Sequence, residues 1–180
     1  STGGPGHLHK ILESLPTSFS PSIVIAQHIN HIFVDGVVES LSSTCNIPVF
    51  AGCDGMQITA NSAVIIKGPF VNEIRREGGA FRLSVLGDIS DDYSPSIDKL
   101  FMSVARLGDL SSVMGILLTG IGSDGAKGLL EMRRTGALTL AESEKTSIVY
   151  GMPRAAIEIG AADTGDDLDK IIEKIIEFGR

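Results

Sequence analysis

Apolar positions along this chain alternate between short solid runs and helical spacing, and the switches between the two mark its elements. The stretch 7–15 places Leu8, Ile11, Leu12 and Leu15 on one side and stops at Pro16, which predicts an amphipathic helix. The β-branched run 22–27 predicts a strand whose carboxyl end delivers His28. Phe33, Val37, Val38 and Leu41 recur at helical spacing over 31–43, and 46–50 begins another strand, with Pro48 marking an edge or an entry position. From 56 to 66 the pattern alternates and then turns solidly apolar, and 81–86 alternates with period two after the Gly78-Gly79 turn signal. A β-hairpin or small antiparallel patch over 57–86 is therefore expected.

Ser94-Pro95-Ser96 opens a helix carrying Ile97, Leu100, Phe101, Val104 and Leu107, with Pro95 near its first position. The run 114–119 follows, of the kind that forms a strand buried on both faces. It leads through Gly120-Ile121-Gly122-Ser123-Asp124-Gly125 into a helix over 126–134 that carries Leu129, Leu130 and Met132. Beyond it lie strand candidates at 137–141 and 146–150, a helix from Gly151-Met152-Pro153-Arg154 to Gly160, and a last helix over 166–178. This alternation predicts an α/β fold with a mostly parallel, doubly wound sheet, helices on both faces and a small antiparallel hairpin. At 180 residues the chain is expected to form one domain, 1–180. Ser1-Thr2-Gly3-Gly4-Pro5-Gly6 reads as a turn between a strand and a helix. Either the first strand lies outside the chain, or Ser1 is a true terminus.

Composition narrows the function classes. The formal charge of −7 and pI near 5.0 argue against a phosphate-neutralising surface, so no nucleic acid is expected. The acidic stretch 87–93, with Asp88, Asp91 and Asp92, reads as a solvated loop. No apolar run approaches a membrane span and no leader pattern opens the chain, so membrane insertion is not expected. Cys45 and Cys53 lack metal spacing and read as free thiols of a reducing compartment, which points to the cytoplasm.

In open parallel sheets, reacting groups gather at the carboxyl ends of the strands. Ser1, His28 and Asp124 each fall at such an end, if a strand precedes Ser1, and that trio has the makings of a nucleophile, a base and an orienting carboxylate. Taken singly, each has a plainer reading, Asp124 as a helix cap above all. Gly120, Gly122 and Gly125 also satisfy G-x-G-x-x-G with Glu142 at a suitable distance, so a dinucleotide-binding oxidoreductase is the rival. Against it, Asp124 puts a negative charge at the helix N-terminus where a pyrophosphate would settle. That same dipole keeps a carboxylate ionised, which suits the partner of a histidine. An N-terminal nucleophile using its own amine would leave His28 and Asp124 idle. His7, His9, His28 and His31 lack companion ligands at zinc spacing, so no metal and no cofactor are expected. Asp54 and Glu142 read as surface or loop residues, and Arg154 as structural or crevice-lining.

Five blocks, in order, resemble the catalytic domain of the chemotaxis receptor methylesterase family, CheB: Ser1-Thr2-Gly3-Gly4, Gln27-His28, Ser94-Pro95-Ser96-Ile97-Asp98, 118–126 and Gly151-Met152-Pro153-Arg154. The resemblance implies Ser1 as nucleophile, His28 as base and Asp124 as the residue that orients it. It implies hydrolysis of γ-glutamyl methyl esters on the cytoplasmic helical bundle of chemoreceptors, releasing methanol, with deamidation of receptor glutamines. The Ile121 N–H, where the family typically has methionine, would face the oxyanion, since a backbone donor does not depend on its side chain. Thr2 would help fix His28. Two departures bear on substrate fit: Ile29-Asn30-His31 replaces a proline-rich turn, and 67–73 lacks the family's histidine-containing segment. The receiver domain that normally gates such esterases is not found within these residues; either the full-length protein carries it elsewhere or this is a receiver-free member.

Overall fold

Two parallel three-stranded sheets and one antiparallel sheet make up the β-structure of the computed structural model, which describes residues 1–88 and 94–180. In the first, β1 (Ser22–Ile25) and β2 (Val49–Ala51) flank β4 (Ser62–Ile65), so that Val24 and Phe50 both lie opposite Val64. Every residue of β4 is buried, because a central strand has neighbours on both edges and a helical layer on both faces. This corrects the antiparallel patch expected from 57 onward: 62–65 belongs to the parallel sheet. The true hairpin is β5 (Phe70–Glu77) and β6 (Ala80–Asp88), with the short β3 (Gln57–Ile58) on its far edge. Its two-residue turn uses positive φ at Gly78 and Gly79, 55° and 82°, as the right-handed twist of a hairpin requires.

The remaining strands, β7 (Met114–Leu117), β8 (Leu138–Glu142) and β9 (Gly165–Asp166), pair in parallel in that order. The strand expected at 146–150 does not form. Only an isolated bridge joins Gly120 to Tyr150, because the Ile148 and Val149 N–H groups turn to the Thr119 hydroxyl instead.

Alternate residues of the strands feed two layers. Ile65 and Ile116 face α1 (Gly4–Ser14), α2 (Val34–Ser42) and α6 (Leu168–Phe178), where Leu12, Leu41 and Ile171 complete one core. Val64 packs with Leu100 of α3 (Ile97–Ala105), and Leu117 with Leu129 of α4 (Ala126–Arg134) and Ala156 of α5 (Met152–Glu158), on the other side. The doubly wound arrangement follows from this period of two. No helix among the described residues is long and apolar enough to cross a membrane. The acidic loop expected over 87–93 falls mostly outside the described residues.

Helix starts differ from the sequence pattern in four places. α1 begins in the glycine turn itself, where Gly3 takes a left-handed φ of 83° and Pro5 sits in the first turn. The stretch expected as one helix from 31 opens as a 3-10 turn, His31–Phe33, before α2. α3 begins at Ile97 behind Ser96, whose side chain accepts from the Lys99 N–H, so Pro95 lies before the helix and not in its first turn. α6 begins at Leu168 and not at 166, because Asp166 pairs in β9 and Asp167 takes the cap position.

One feature positions everything at the site. Among the described residues β1 pairs with β4 alone and β7 with β8 alone, leaving each with an unpaired edge. A cavity of about 430 Å³ lies between them, lined by Ile23 and Ile25 on one flank, Met114 and Ile116 on the other, and bordered by Ser1.

Candidate active site

The chain leaves β7 through Leu118 and Thr119 and enters the glycine turn against Ser1. A Cβ at Gly120 would overlap Met152 Sδ and lie 3.0 Å from Ser1 Oγ, so only glycine lets the turn approach the hydroxyl this closely. Two backbone N–H groups converge on Ser1 Oγ, that of Thr2 at 2.7 Å and that of Ile121 at 3.0 Å. The Ile121 side chain points away, 61% exposed. Its contribution to the site is the backbone donor.

On the other flank, β1 delivers Gln27 and His28. The buried Gln27 amide donates to the carbonyl of Ser1 at 3.3 Å and of His28 at 3.5 Å, so one side chain ties the two segments together. Gly4 makes room for it, since a Cβ there would strike the Gln27 amide.

His28 Nε2 and Asp124 Oδ2 are 2.7 Å apart, with side chains only 12% and 2% exposed. Asp124 also accepts from the Ile97 N–H at 2.8 Å and the Asp98 N–H at 2.9 Å. This changes the reading of Asp124 as the cap of its own helix: α4 is preceded by Gly125 with no side-chain cap, and the carboxylate reaches across to the first amides of α3. α3 returns the contact, because Asp98 Oδ1 accepts from the Gly128 N–H of α4 at 2.7 Å. Burial alone would raise the Asp124 pKa. The His28 hydrogen bond first, then the Asp98 and Ile97 N–H groups, outweigh it and hold the carboxyl below the ordinary aspartate range. Asp98 goes the other way, pushed up chiefly by burial and further by the Asp124 charge.

Glu142, expected as a surface or loop residue, is fully buried and is the last residue of β8. It accepts from the Thr119 N–H and the Thr146 hydroxyl, both at 2.9 Å, and faces His7 Nδ1 at 3.2 Å. A carboxylate so occupied cannot serve a ribose. The dinucleotide reading of Gly120, Gly122 and Gly125 fails with it: Ser1 Oγ fills the space over Gly120 and takes the Ile121 N–H, while Asp98 takes an amide at the start of α4. The signal for Glu142 in the sequence was slight, a charge ending an apolar run.

Other expected residues have plain surroundings. Thr2 is held through its backbone, its carbonyl accepting from Thr119 Oγ1 at 2.9 Å. Arg154 pairs with Glu158 at 2.7 Å on an exposed turn of α5, and the exposed Asp54 accepts from the Val85 N–H at 2.8 Å. The histidines diverge: His7 faces Glu142, His9 lies 3.2 Å from Glu13, and His28 faces Asp124.

The CheB methylesterase family profile matches residues 1–175. The chain belongs to the CheB methylesterase family. Among its relatives, a protein-glutamate methylesterase/protein-glutamine glutaminase of Rhodospirillum rubrum is 40% identical over 180 residues, which cover 99% of this chain and 49% of that protein. One of the same name from Syntrophus aciditrophicus is 38% identical over 179 residues, covering 99% and 52%. The chain thus spans about half the length of the curated relatives it matches. The crystal structure of the Thermotoga maritima CheB methylesterase catalytic domain superposes with a TM-score of 0.91 at 32% identity, covering 98% of this chain and 93% of that one. The doubly wound architecture is thus the one this chain shares with that CheB catalytic domain. Sequence reasoning passed over three groups that build this candidate site: the Gln27 amide, Thr119, and the paired N–H groups of Ile97 and Asp98. All four residues stand within blocks that resemble the family, which was the available signal.

Proposed function

We propose that this chain is a catalytic domain that hydrolyses γ-glutamyl methyl esters on the cytoplasmic helical bundle of chemoreceptors, releasing methanol, and that it deamidates receptor glutamines. The relatives' names carry both activities, and their greater length leaves room for a receiver domain in the full protein, which acts in the cytoplasm. The observation that carries the reading is the 2.7 Å His28–Asp124 pair, on the edge where the Gln27 amide also holds Ser1. In the proposed reaction, Ser1 Oγ attacks the ester carbonyl while His28 takes its proton. Because Nε2 faces Asp124, the accepting nitrogen is Nδ1. Asp124, held ionised, stabilises the imidazolium that forms. The Ile121 N–H, already 3.0 Å from Ser1 Oγ, meets the oxyanion on the carbon bonded to that oxygen. His28 returns the proton to the departing methanol, and water then cleaves the acyl-enzyme by the same route. Incubation with methylated receptor fragments is expected to release methanol in step with loss of the esters. Intact esters after prolonged incubation with folded protein would reject the assignment.

The domain is completed by a β-strand that leads into Ser1 and fills the cavity between β1 and β7. Three facts support this: the apolar flanks of the cavity, the unpaired edges, and the Ser1 backbone nitrogen lying 3.4 Å from the Thr119 carbonyl just beyond β7. Including the residues directly upstream of Ser1 is expected to protect from hydrogen exchange the amides of Val24, Met114 and Ile116, which face the unpaired edges, since Ile25 and its alternates face β4 and Val113 and its alternates face β8. It is also expected to raise Tm by about 10 °C, since a few kcal/mol of apolar burial moves a chain of this size by roughly 2–4 °C per kcal/mol. Exchange at those amides that does not change with the extension counts against the strand.

A further inference from the structure

Asp124 and Glu142 are the carboxylates buried among the described residues, and the proposed reaction employs only Asp124. A buried carboxylate persists where it is paired and hydrogen-bonded, and Glu142 has three partners. The Thr119 N–H and the Thr146 hydroxyl each donate at 2.9 Å, and His7 Nδ1 stands 3.2 Å from both of its oxygens. Thr119 extends the network toward the nucleophile. Its hydroxyl donates to the Thr2 carbonyl at 2.9 Å and receives the Ile148 and Val149 N–H groups at 3.0 and 2.9 Å. Two residues beyond Thr119 is Ile121, whose N–H meets Ser1 Oγ at 3.0 Å. His7 sits on α1, the helix that the Ser1-Thr2 turn opens. The nucleophile turn, the glycine turn and the 146–149 loop are thus joined through one buried carboxylate.

We infer that Glu142, held by His7, is a positioning residue for Ser1: through Thr119 it fixes the Thr2 carbonyl, and so the turn whose N–H meets the nucleophilic hydroxyl, together with the glycine turn that brings the Ile121 N–H to the same oxygen. The inference rests on the reading of Ser1 as the nucleophile. Loss of Glu142 misaligns the hydroxyl and its oxyanion donor without touching the surface that receives substrate. The defect therefore belongs in kcat rather than KM, since a displacement of about 1 Å at a reacting group costs about 10²-fold.

The test uses the intact protein with two readouts, turnover of methylated receptor fragments and the rate at which a fluorophosphonate probe labels Ser1. Glu142→Ala is expected to slow both together by about 10²-fold with KM within about twofold. Glu142→Gln, which keeps the volume and an acceptor for Thr119, is expected to recover both to within about fivefold, and His7→Ala to slow both by about tenfold. A folded Glu142→Ala protein that labels at the wild-type rate, or that changes KM alone, overturns the inference. Should Glu142→Ala fail to fold, His7→Ala decides, and wild-type labelling there overturns it too. Wild-type protein that resists the probe, or a Ser1→Ala variant that still reacts, defeats the esterase reading itself, an outcome distinct from the others.

Discussion

Ser1→Ala is expected to lower kcat for methyl ester hydrolysis by roughly 10⁶-fold while leaving the fold and substrate binding intact. Ser1 is half-buried at the site edge and its hydroxyl accepts the exposed Thr2 and Ile121 N–H groups, which water can serve in its place, whereas without it no acyl-enzyme forms. His28→Gln is expected to fall as far, because a serine hydroxyl whose proton has no acceptor is a poor nucleophile at neutral pH. The more demanding expectation concerns the pair. Groups that act as a unit are not additive, so Ser1→Ala combined with His28→Gln is expected to be no slower than either alone. The residual rate then reflects substrate binding and the Ile121 N–H, which both variants keep. Methanol release under saturating substrate measures all three. A single variant retaining more than about 1% of wild-type kcat, or a double variant far slower than its parents, contradicts the assigned roles.

Asp124→Asn carries the second large effect, a fall in kcat of about 10³- to 10⁴-fold, because the amide cannot stabilise an imidazolium and presents an N–H₂ where His28 needs an acceptor. It also disturbs α3. The carboxylate accepts from His28, Ile97 and Asp98 together, and an amide oxygen cannot serve donors on both of its former faces. The pH dependence follows from the lowered pKa. A carboxyl whose folded value lies below its unfolded one, about 3.9, contributes stability that is complete above 3.9 and is lost as pH falls through the folded value. Wild-type protein is therefore expected to exceed Asp124→Asn in Tm at pH 6, with the gap narrowing below about pH 4. Thermal melts of both proteins across that range make the comparison. A gap that stays constant into acid shows that Asp124 is not the ionised partner.

The legible parts of the fold were those where one chemical pattern had one physical outcome. Leu168, Ile171, Ile172 and Ile175 repeat at a helical period and form the buried face of α6. Ile23, Val24 and Ile25 are β-branched in succession and, with Ser22, become β1. The run at 62–65 was different: a solid apolar stretch is equally consistent with a hairpin arm and with a central parallel strand, and the choice depends on β1 and β2 arriving on either side. β9 has only Gly165 and Asp166, and two such residues carry no strand preference of their own. The 146–150 stretch has the apolar content of a strand but gives its amides to Thr119, a competitor that no local window contains.

The candidate site divides along the same line. Ser1, His28 and Asp124 could be singled out because each follows a run that reads as a strand or stands in a glycine turn, and loops at strand ends are where α/β folds keep their chemistry. The partners of Asp124 could not be named. Its nearest helix in sequence is α4, yet its charge is spent on α3, since the two helices pack so that each N-terminus meets the other's carboxylate. Glu142 was misjudged for the same reason: polarity counts against burial until the donors that compensate it are known, and those stand on α1, at the end of β7 and in the 146–149 loop.

The amino-acid sequence by itself determined most of the elements, their alternation, the family and the candidates for the reactive side chains, because periodicity, glycine placement and short motifs are local properties. Only the tertiary structure decided which edge of each strand is paired, which helix Asp124 serves, and that Glu142 is joined through Thr119 to the Ser1 turn. Those are matters of which donor reaches which acceptor, and distance in space between residues such as Thr119 and Glu142, or Ser1 and Ile121, is not written in their separation along the chain.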